Sequence, residues 1–212
     1  MNPVRYKVCH AVRSLLLGLI GFLVLTGPGL MAAGSAERGA SISLTCAACH
    51  GATGISANPE WPNLAGQHEN YTARTLEAYQ AGDRQDVLMT GQAMSLSGQD
   101  IADLAAYFAG EQRAQDTADP ALIAAGERLY RGGDRDKNIS ACIACHGPAG
   151  RGNWPAAYPS VAGQHASYTA KQLRSYANGT RKSDSNQVMR NIAALLSEDE
   201  IIAVSSYIQG LR

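Results

Sequence analysis

The apolar positions of this chain fall into short segments at helical spacing, separated by stretches rich in Gly, Pro, Asn and Ser. Near the start, Leu15 to Leu25 is an apolar run that follows the basic residues Arg5, Lys7 and Arg13. Tyr71, Leu76 and Tyr79 give one apolar face to a helix over 68–81, with Gly82 past its end. Ile101, Leu104, Ala105 and Phe108 do the same for a helix that starts behind Ser97, an N-cap with Asp100 three residues on, and ends near Gly110. Helices are also predicted over 37–48, 121–130, 166–177 and 198–209, the last behind a capping box formed by Ser197 and Glu200. Segments 51–62, 147–159 and 178–188 read as loops, 83–96 as irregular, 111–119 as a polar linker and 131–140 as a charged insertion. Strand signals are nearly absent, so the chain is expected to be all-α.

The same pattern occurs twice. Asn63-Leu64-Ala65-Gly66-Gln67-His68 matches Ser160-Val161-Ala162-Gly163-Gln164-His165, and Tyr71-Thr72-Ala73-Arg74 matches Tyr168-Thr169-Ala170-Lys171. Arg84 pairs with Arg181. About three extra residues in the second half, around 182–187, then shift the register, so that Met89 pairs with Met189, Ser97 with Ser197 and Tyr107 with Tyr207. Repetition at this length implies two similar domains, 34–115 and 116–212, behind an N-terminal segment over 1–33. That segment has a basic start, a short apolar centre and small residues at Ala32 to Ala36, the signature of a secretory signal peptide cleaved near Ala33.

Each half carries one C-x-x-C-H motif, Cys46-Ala47-Ala48-Cys49-His50 and Cys142-Ile143-Ala144-Cys145-His146. Two thiols at this spacing bond the vinyl groups of a haem, and the adjacent imidazole then ligates its iron. A redox dithiol needs no following histidine, and a zinc site built from both pairs would leave both histidines unexplained. Two covalent haems are expected, and in halves this small each would be part of the core, leaving the haem-free halves poorly folded. Four of the five cysteines lie in these motifs and the fifth, Cys9, lies in the signal, so no structural disulfide is expected.

A second axial ligand should recur in both halves. Met89 and Met189 do, each eight residues before the serine that caps the last helix. A methionine thioether raises the potential, whereas a second histidine lowers it. His68 and His165 also match and are the rival pair, and Met94 is the fallback in the first half. The Pro62 and Pro159 carbonyls are candidates to accept the Nδ1–H of His50 and His146, with loop rigidity as the alternative. Arg84 and Arg181 are candidates to pair with haem propionates, or else are solvated loop residues. Tyr71, Tyr79, Tyr168 and Tyr176 are expected to line a crevice or the domain interface, and Tyr107 and Tyr207 to pack on the first helix of their own half.

The 212-residue chain has zero formal net charge. Removing 1–33 takes away three basic residues and no acidic one, which leaves 15 basic against 18 acidic residues, net −3. This argues against nucleic-acid binding, which requires a basic face.

With these residues placed, the chain resembles the dihaem cytochrome c4 family. The resemblance rests on CAACHG and CIACHGPAGRG, the paired AGQH-x-x-Y segments, LSGQDIADLAAYFAG and VMRNIAALLSEDEIIAVSSYIQGL. Thr90-Gly91-Gln92 after the first methionine is a departure from the family pattern. The resemblance implies two class I-like cytochrome domains with His/Met iron, their haem edges close together at the interface. It also implies a periplasmic electron carrier, loosely membrane-associated in some members. Such a carrier takes electrons from a quinol-oxidising complex or dehydrogenase and passes them to a terminal oxidase such as a cbb3-type enzyme. It is not an enzyme. The alternatives are a dihaem peroxidase-like enzyme, which needs an open iron face, and a cytochrome subunit bound to a dehydrogenase, which an exposed apolar patch on one domain would favour.

Overall fold

The computed structural model describes residues 33–212, so the expected signal peptide, apart from Ala33, lies outside the described residues. Among these residues there are ten α-helices and one 3-10 turn, with isolated bridges at Asp134–Ile139 and Asn153–Tyr158 as the only extended pairing. None of the described helices is long and apolar enough to cross a membrane.

The two halves repeat one arrangement. The first holds α1 (Ala36–Ile42), α2 (Leu44–His50), α3 (Glu69–Ala81), α4 (Val87–Met94) and α5 (Gly98–Gly110). The second holds α6 (Ile123–Gly132), α7 (Ile143–His146), α8 (Ala166–Ala177), α9 (Val188–Ala193) and α10 (Glu198–Gln209). In each half the last helix is the hub. α1 and α3 pack on α5, as α6 and α8 pack on α10. Ile101, Leu104, Ala105 and Phe108 of α5 are buried, as are Ile201, Val204, Tyr207 and Ile208 of α10. The capping boxes predicted at Ser97–Asp100 and Ser197–Glu200 are both present.

Glycine sets the closeness of the two hub crossings. A Cβ on Gly39 would lie 2.1 Å from the Asp103 carbonyl oxygen, and one on Gly126 would lie 2.3 Å from that of Ala203. Neither contact admits a side chain, so α1 and α6 ride directly on the backbones of α5 and α10. Tyr107 and Tyr207 lean over these same glycines through their Cβ atoms, which places them on the first helix of their own half as expected.

Several segments depart from the sequence expectation. The helix predicted over 37–48 breaks at Ser43, whose Oγ donates to the Ala40 carbonyl, and α2 then carries the chain to His50. The stretch 83–96, expected to be irregular, contains α4. Asp86 caps it by accepting from the backbone N–H groups of Leu88 and Met89, which outweighs the poor helix formers Thr90 and Gly91. In the second half the extra residues form the 3-10 turn Ser185–Gln187, with Asn186 and Gln187 at φ 55° and 60°, before α9 begins. The insertion 131–140 closes on itself through reciprocal Asp134–Ile139 backbone bonds of 2.9 and 2.7 Å and buries Ile139.

The start of the described chain is tied to α5 by Asp103, whose side chain is 1% exposed. Its carboxylate accepts from Ser35 N–H at 2.7 Å and Gln99 Nε2 at 2.9 Å, and pairs with the Arg38 guanidinium. The Ser35 and Gln99 bonds, with help from Arg38 and against burial, hold its pKa below the ordinary carboxylate value. A depressed folded pKa means the stabilisation is complete above the unfolded value of about 3.9 and is lost as pH falls through the folded value. Asp103→Asn is therefore expected to lower the thermal midpoint near pH 6, with the gap to the parent closing on acidification toward about pH 3. A gap that persists unchanged in acid would assign the effect to packing rather than charge.

Candidate functional site

Each C-x-x-C-H motif sits where a short helix ends. Cys46, Cys49 and His50 lie on α2, and positions three and four apart share one helical face, so both sulfurs and the imidazole emerge on the same side. In the second half Cys142 is the residue before α7, while Cys145 and His146 end it. Gly51 and Gly147 follow the histidines at φ 78° and 77°, a left-handed turn that takes the chain away from the face.

Both histidines are oriented identically. His50 Nδ1 lies 2.9 Å from the Pro62 carbonyl oxygen, and His146 Nδ1 lies 2.9 Å from that of Pro159. A carbonyl can only accept, so Nδ1 carries the proton and Nε2 presents a bare lone pair. Burial pushes both imidazoles below the ordinary histidine pKa, and the proline carbonyls offset this only in part. The rings are thus neutral, of one tautomer and fixed in direction, as a metal-ligating imidazole must be.

The four thiols are free. Burial raises the pKa of Cys46, and it pushes Cys142 up to about 11. A redox dithiol needs a thiol pKa well below its free value, and Cys46 and Cys142 are shifted the other way. Among the described residues no group of three or more His, Cys, Asp and Glu is arranged to hold a metal ion, so the two motifs do not converge on a zinc site. Two thiols without a disulfide beside a bare Nε2 do fit covalent haem attachment.

The remaining sequence candidates are distributed between core, junction and surface. Met89 is the third residue of α4 and Met189 the second of α9, and both are half-buried. Met189 packs against the core of its half. Met94 is 62% exposed at the end of α4. His68 and His165 occupy the N-cap positions of α3 and α8 but cap neither helix through their side chains. His165 Nε2 instead lies 3.0 Å from the Ser56 carbonyl oxygen in the other half, while His68 Nε2 is buried without a partner. Arg84 and Arg181 are not solvated loop residues. Both are buried where the halves meet, each stacked on a tyrosine of its own half, at 4.8 Å over Tyr79 and 4.5 Å over Tyr176. Each also donates to a tyrosine of the other half, Arg84 to Tyr168 at 2.6 Å and Arg181 to Tyr71 at 2.9 Å.

The function of the doubled AGQH segment is invisible in the linear sequence. Gln164 Oε1 accepts from Asn63 N–H and Gln164 Nε2 donates to the Asn63 carbonyl, both at 2.9 Å. Gln67 does the same to Ser160, at 2.9 and 2.8 Å. Each glutamine thus imitates a strand partner for the residue just after the proline of the opposite half. The only sequence signal is that Gln67 and Gln164 recur while their neighbours at 63 and 160 differ, because a two-bond amide bridge to backbone does not depend on the side chain it faces. Gln67→Ala or Gln164→Ala removes two such bonds and is expected to cost about 1–3 kcal/mol. The check is thermal unfolding of the single and double variants, and an unchanged midpoint would mean that the bridges contribute nothing.

The cytochrome c family model matches residues 36–110 and again 123–212. Cytochrome c4 of Azotobacter vinelandii is 48% identical over 191 residues, covering 85% of this chain and 91% of the relative. The crystal structure of reduced recombinant cytochrome c4 from Pseudomonas stutzeri superposes with a TM-score of 0.83 at 45% identity, covering 85% of this chain and all of that one. A thiosulfate dehydrogenase electron acceptor of Stutzerimonas stutzeri is 37% identical over 174 residues, 78% of each chain. The chain belongs to the cytochrome c4 family of dihaem electron carriers, and it carries two covalently bound haem c groups.

Proposed function

We propose that Cys46 and Cys49 hold one haem and Cys142 and Cys145 the other, with His50 and Met89 as axial ligands in the first domain and His146 and Met189 in the second. The domains span 34–115 and 116–212, behind an export signal over 1–33 that delivers the protein to the periplasm. When bound, the two haems supply reversible one-electron exchange between Fe(III) and Fe(II). The protein's own groups supply everything else. Pro62 and Pro159 hold each imidazole in one tautomer and one direction. Met89 and Met189 offer a soft thioether, which favours the reduced state. His165 is already committed to the Ser56 carbonyl, which breaks the matched histidine pair, and Met94 faces solvent; both support the methionine pair. The glutamine bridges hold the halves in one arrangement, so that little reorganises as an electron passes. The duplicated His–Pro bond is the observation that carries this reading, because it leaves one oriented Nε2 in each half.

The two domains are built for different partners. Residues 34–115 contain nine acidic and four basic residues, whereas 116–212 contain nine acidic and eleven basic. A chain polarised in this way docks each end on a surface of opposite sign, through small transient contacts. We place a terminal oxidase, such as a cbb3-type enzyme, at the accepting side, and no substrate bond is made or broken. A second reading, in which the chain is the bound cytochrome subunit of a dehydrogenase, has its own support. Leu44, Val87, Leu88 and Met94 are 75%, 93%, 64% and 62% exposed in the first half, and the repeat places Gln187, Val188 and Ala194 opposite the last three. An apolar rim more exposed on one domain than at the matching positions of the other suits a docked dehydrogenase, the partner named for the Stutzerimonas stutzeri relative.

Met189→His is expected to lower the potential of one haem while two haems per chain survive a pyridine haemochrome assay, and an unchanged potential would assign the ligand to another residue. For the partner, the reduced holoprotein is expected to be oxidised by membranes bearing a cbb3-type oxidase at a rate that falls as salt rises. No oxidation under those conditions would leave the dehydrogenase reading in its place.

A further inference from the structure

Two guanidiniums and an imidazole gather at one edge of the junction with no acid among them. Arg113 is pinned there from two sides. A Cβ on Gly66 would lie 2.3 Å from its Cγ, and its Nε donates to Ser160 Oγ at 3.0 Å. Ser160 Oγ donates on to the Gly150 carbonyl at 3.4 Å, one residue before Arg151, and His68 follows two residues after Gly66. Among the described residues Arg113 makes no other side-chain hydrogen bond, Arg151 makes none, and neither has a carboxylate within 4.0 Å. His68 Nε2 is buried without a partner. Burial holds its pKa below the ordinary histidine value, and the Arg113 charge adds to this; the Arg151 carbonyl offsets it in part without completing a hydrogen bond. Burial, then the Arg151 charge, likewise lowers Arg113. Both groups are short of the same thing, a negative charge.

The cluster occurs in one repeat only. His165, the counterpart of His68, has its Nε2 3.0 Å from the Ser56 carbonyl oxygen, and Ile55 stands where the second half has Arg151. The loop that carries Arg151 is also stiff. Asn153 and Tyr158 exchange both backbone bonds at 3.0 Å, and Ala157 completes the turn at φ 55°. α3 of the first half holds this turn, with Asn70 Nδ2 donating to the Trp154 carbonyl at 2.6 Å and Arg74 Nη2 to that of Ala157 at 3.1 Å. Trp154, three residues from Arg151, is nevertheless 56% exposed. Trp and Arg are the residues that carry most energy at protein interfaces, and a loop already fixed loses little freedom on binding.

We propose that His68, Arg113 and Arg151 form a docking anchor for a carboxylate of an acidic protein partner, with Trp154 packing at its rim. The proposal rests on the reading that the second half docks on a surface of opposite sign, and it gives that docking a place. A guanidinium fork matches a carboxylate edge. Two guanidiniums open to water hold a free small anion weakly. They are also too few for a lipid surface, where attraction builds up over clusters of about four to eight basic residues.

The test uses the reduced holoprotein and poly-L-glutamate at low salt. Proton NMR follows the His68 ring and the Trp154 indole N–H, assigned with His68→Gln and Trp154→Phe. Free, His68 is expected to titrate below its ordinary value of about 6.5, and with the polymer bound that value is expected to rise, because a neighbouring anion favours the imidazolium. The Trp154 resonance is expected to move with it. Arg113→Gln and Arg151→Gln are each expected to weaken binding about tenfold while haem content and both potentials stay at the parent's values. Should Arg113→Gln fail to fold, Arg151→Gln decides alone, since its side chain bonds nothing in the fold. The proposal is overturned if the polymer leaves His68 unmoved or binds the glutamine variants as tightly as the parent. It is equally overturned if inorganic phosphate at the same charge concentration moves His68 as far, which assigns a free-anion site. Tighter binding to phosphatidylglycerol vesicles than to the polymer, lost in Arg151→Gln, assigns a lipid surface and overturns it too. On membranes bearing a cbb3-type oxidase, Arg151→Gln is expected to be oxidised severalfold more slowly at low salt, with the difference vanishing as salt rises. A rate equal to the parent's at every salt overturns the docking role. If the parent itself is not oxidised there, the oxidase reading fails, and the poly-L-glutamate titration still decides the site.

Discussion

One hydrogen bond, from an imidazole Nδ1 to a proline carbonyl and made once in each half, governs the geometry of both sites. It sets the tautomer, the ring plane and the direction of the remaining lone pair. The proline in turn is held by the residues on its C-terminal side. Leu64 and Ala65 both donate to the Gly54 carbonyl, and Val161 and Ala162 to that of Gly150. Those two glycines are in the left-handed region, at φ 79° and 65°, and press so closely on Phe108 and Leu211 that an added Cβ would lie 2.8 and 3.0 Å from their side chains. The last helix of the first half, and a residue just past the last helix of the second, therefore position the loop, the loop positions the proline, and the proline positions the histidine.

The junction between the halves answers a different requirement. Each half is near the size at which a single core is marginal, so the two must support each other as well as their cofactors. They do so with polar groups. The bridging residues recognise backbone, as Gln67 and Gln164 do, or pair a guanidinium with a phenol, as Arg84 and Arg181 do. Bonds of this kind are directional, which suits a protein whose two redox centres must keep a constant separation. An apolar seam would associate the halves without fixing one geometry between them.

Superposed on this symmetry are differences that separate the halves chemically. The first is acidic, starts α4 with an aspartate cap and exposes Val87 and Leu88 beside the methionine assigned to iron. The second is basic, reaches its methionine through the turn 185–187 and carries the extra buried turn around Ile139. Duplication supplies two equivalent sites, and divergence at their rims gives each its own surroundings.

Much of the fold and the centre of each site could be read from the chain, because they rest on local rules. Helical period placed α3, α5, α8 and α10, hydroxyl-and-acid spacing placed two capping boxes, and C-x-x-C-H marked the thiols and imidazoles, whose common helical face came from the structure. Repetition identified the prolines, the glutamines and the arginines as pairs worth attention. What those pairs do was decided only by tertiary structure. Gln67 and Ser160 are 93 residues apart, and Arg181 and Tyr71 are 110 apart. No periodicity encodes contacts made across a pseudo-symmetric junction. Burial of Arg84 and Arg181 was likewise hidden, since an arginine in a Gly- and Asp-containing loop is solvated unless a second copy of the same loop closes over it.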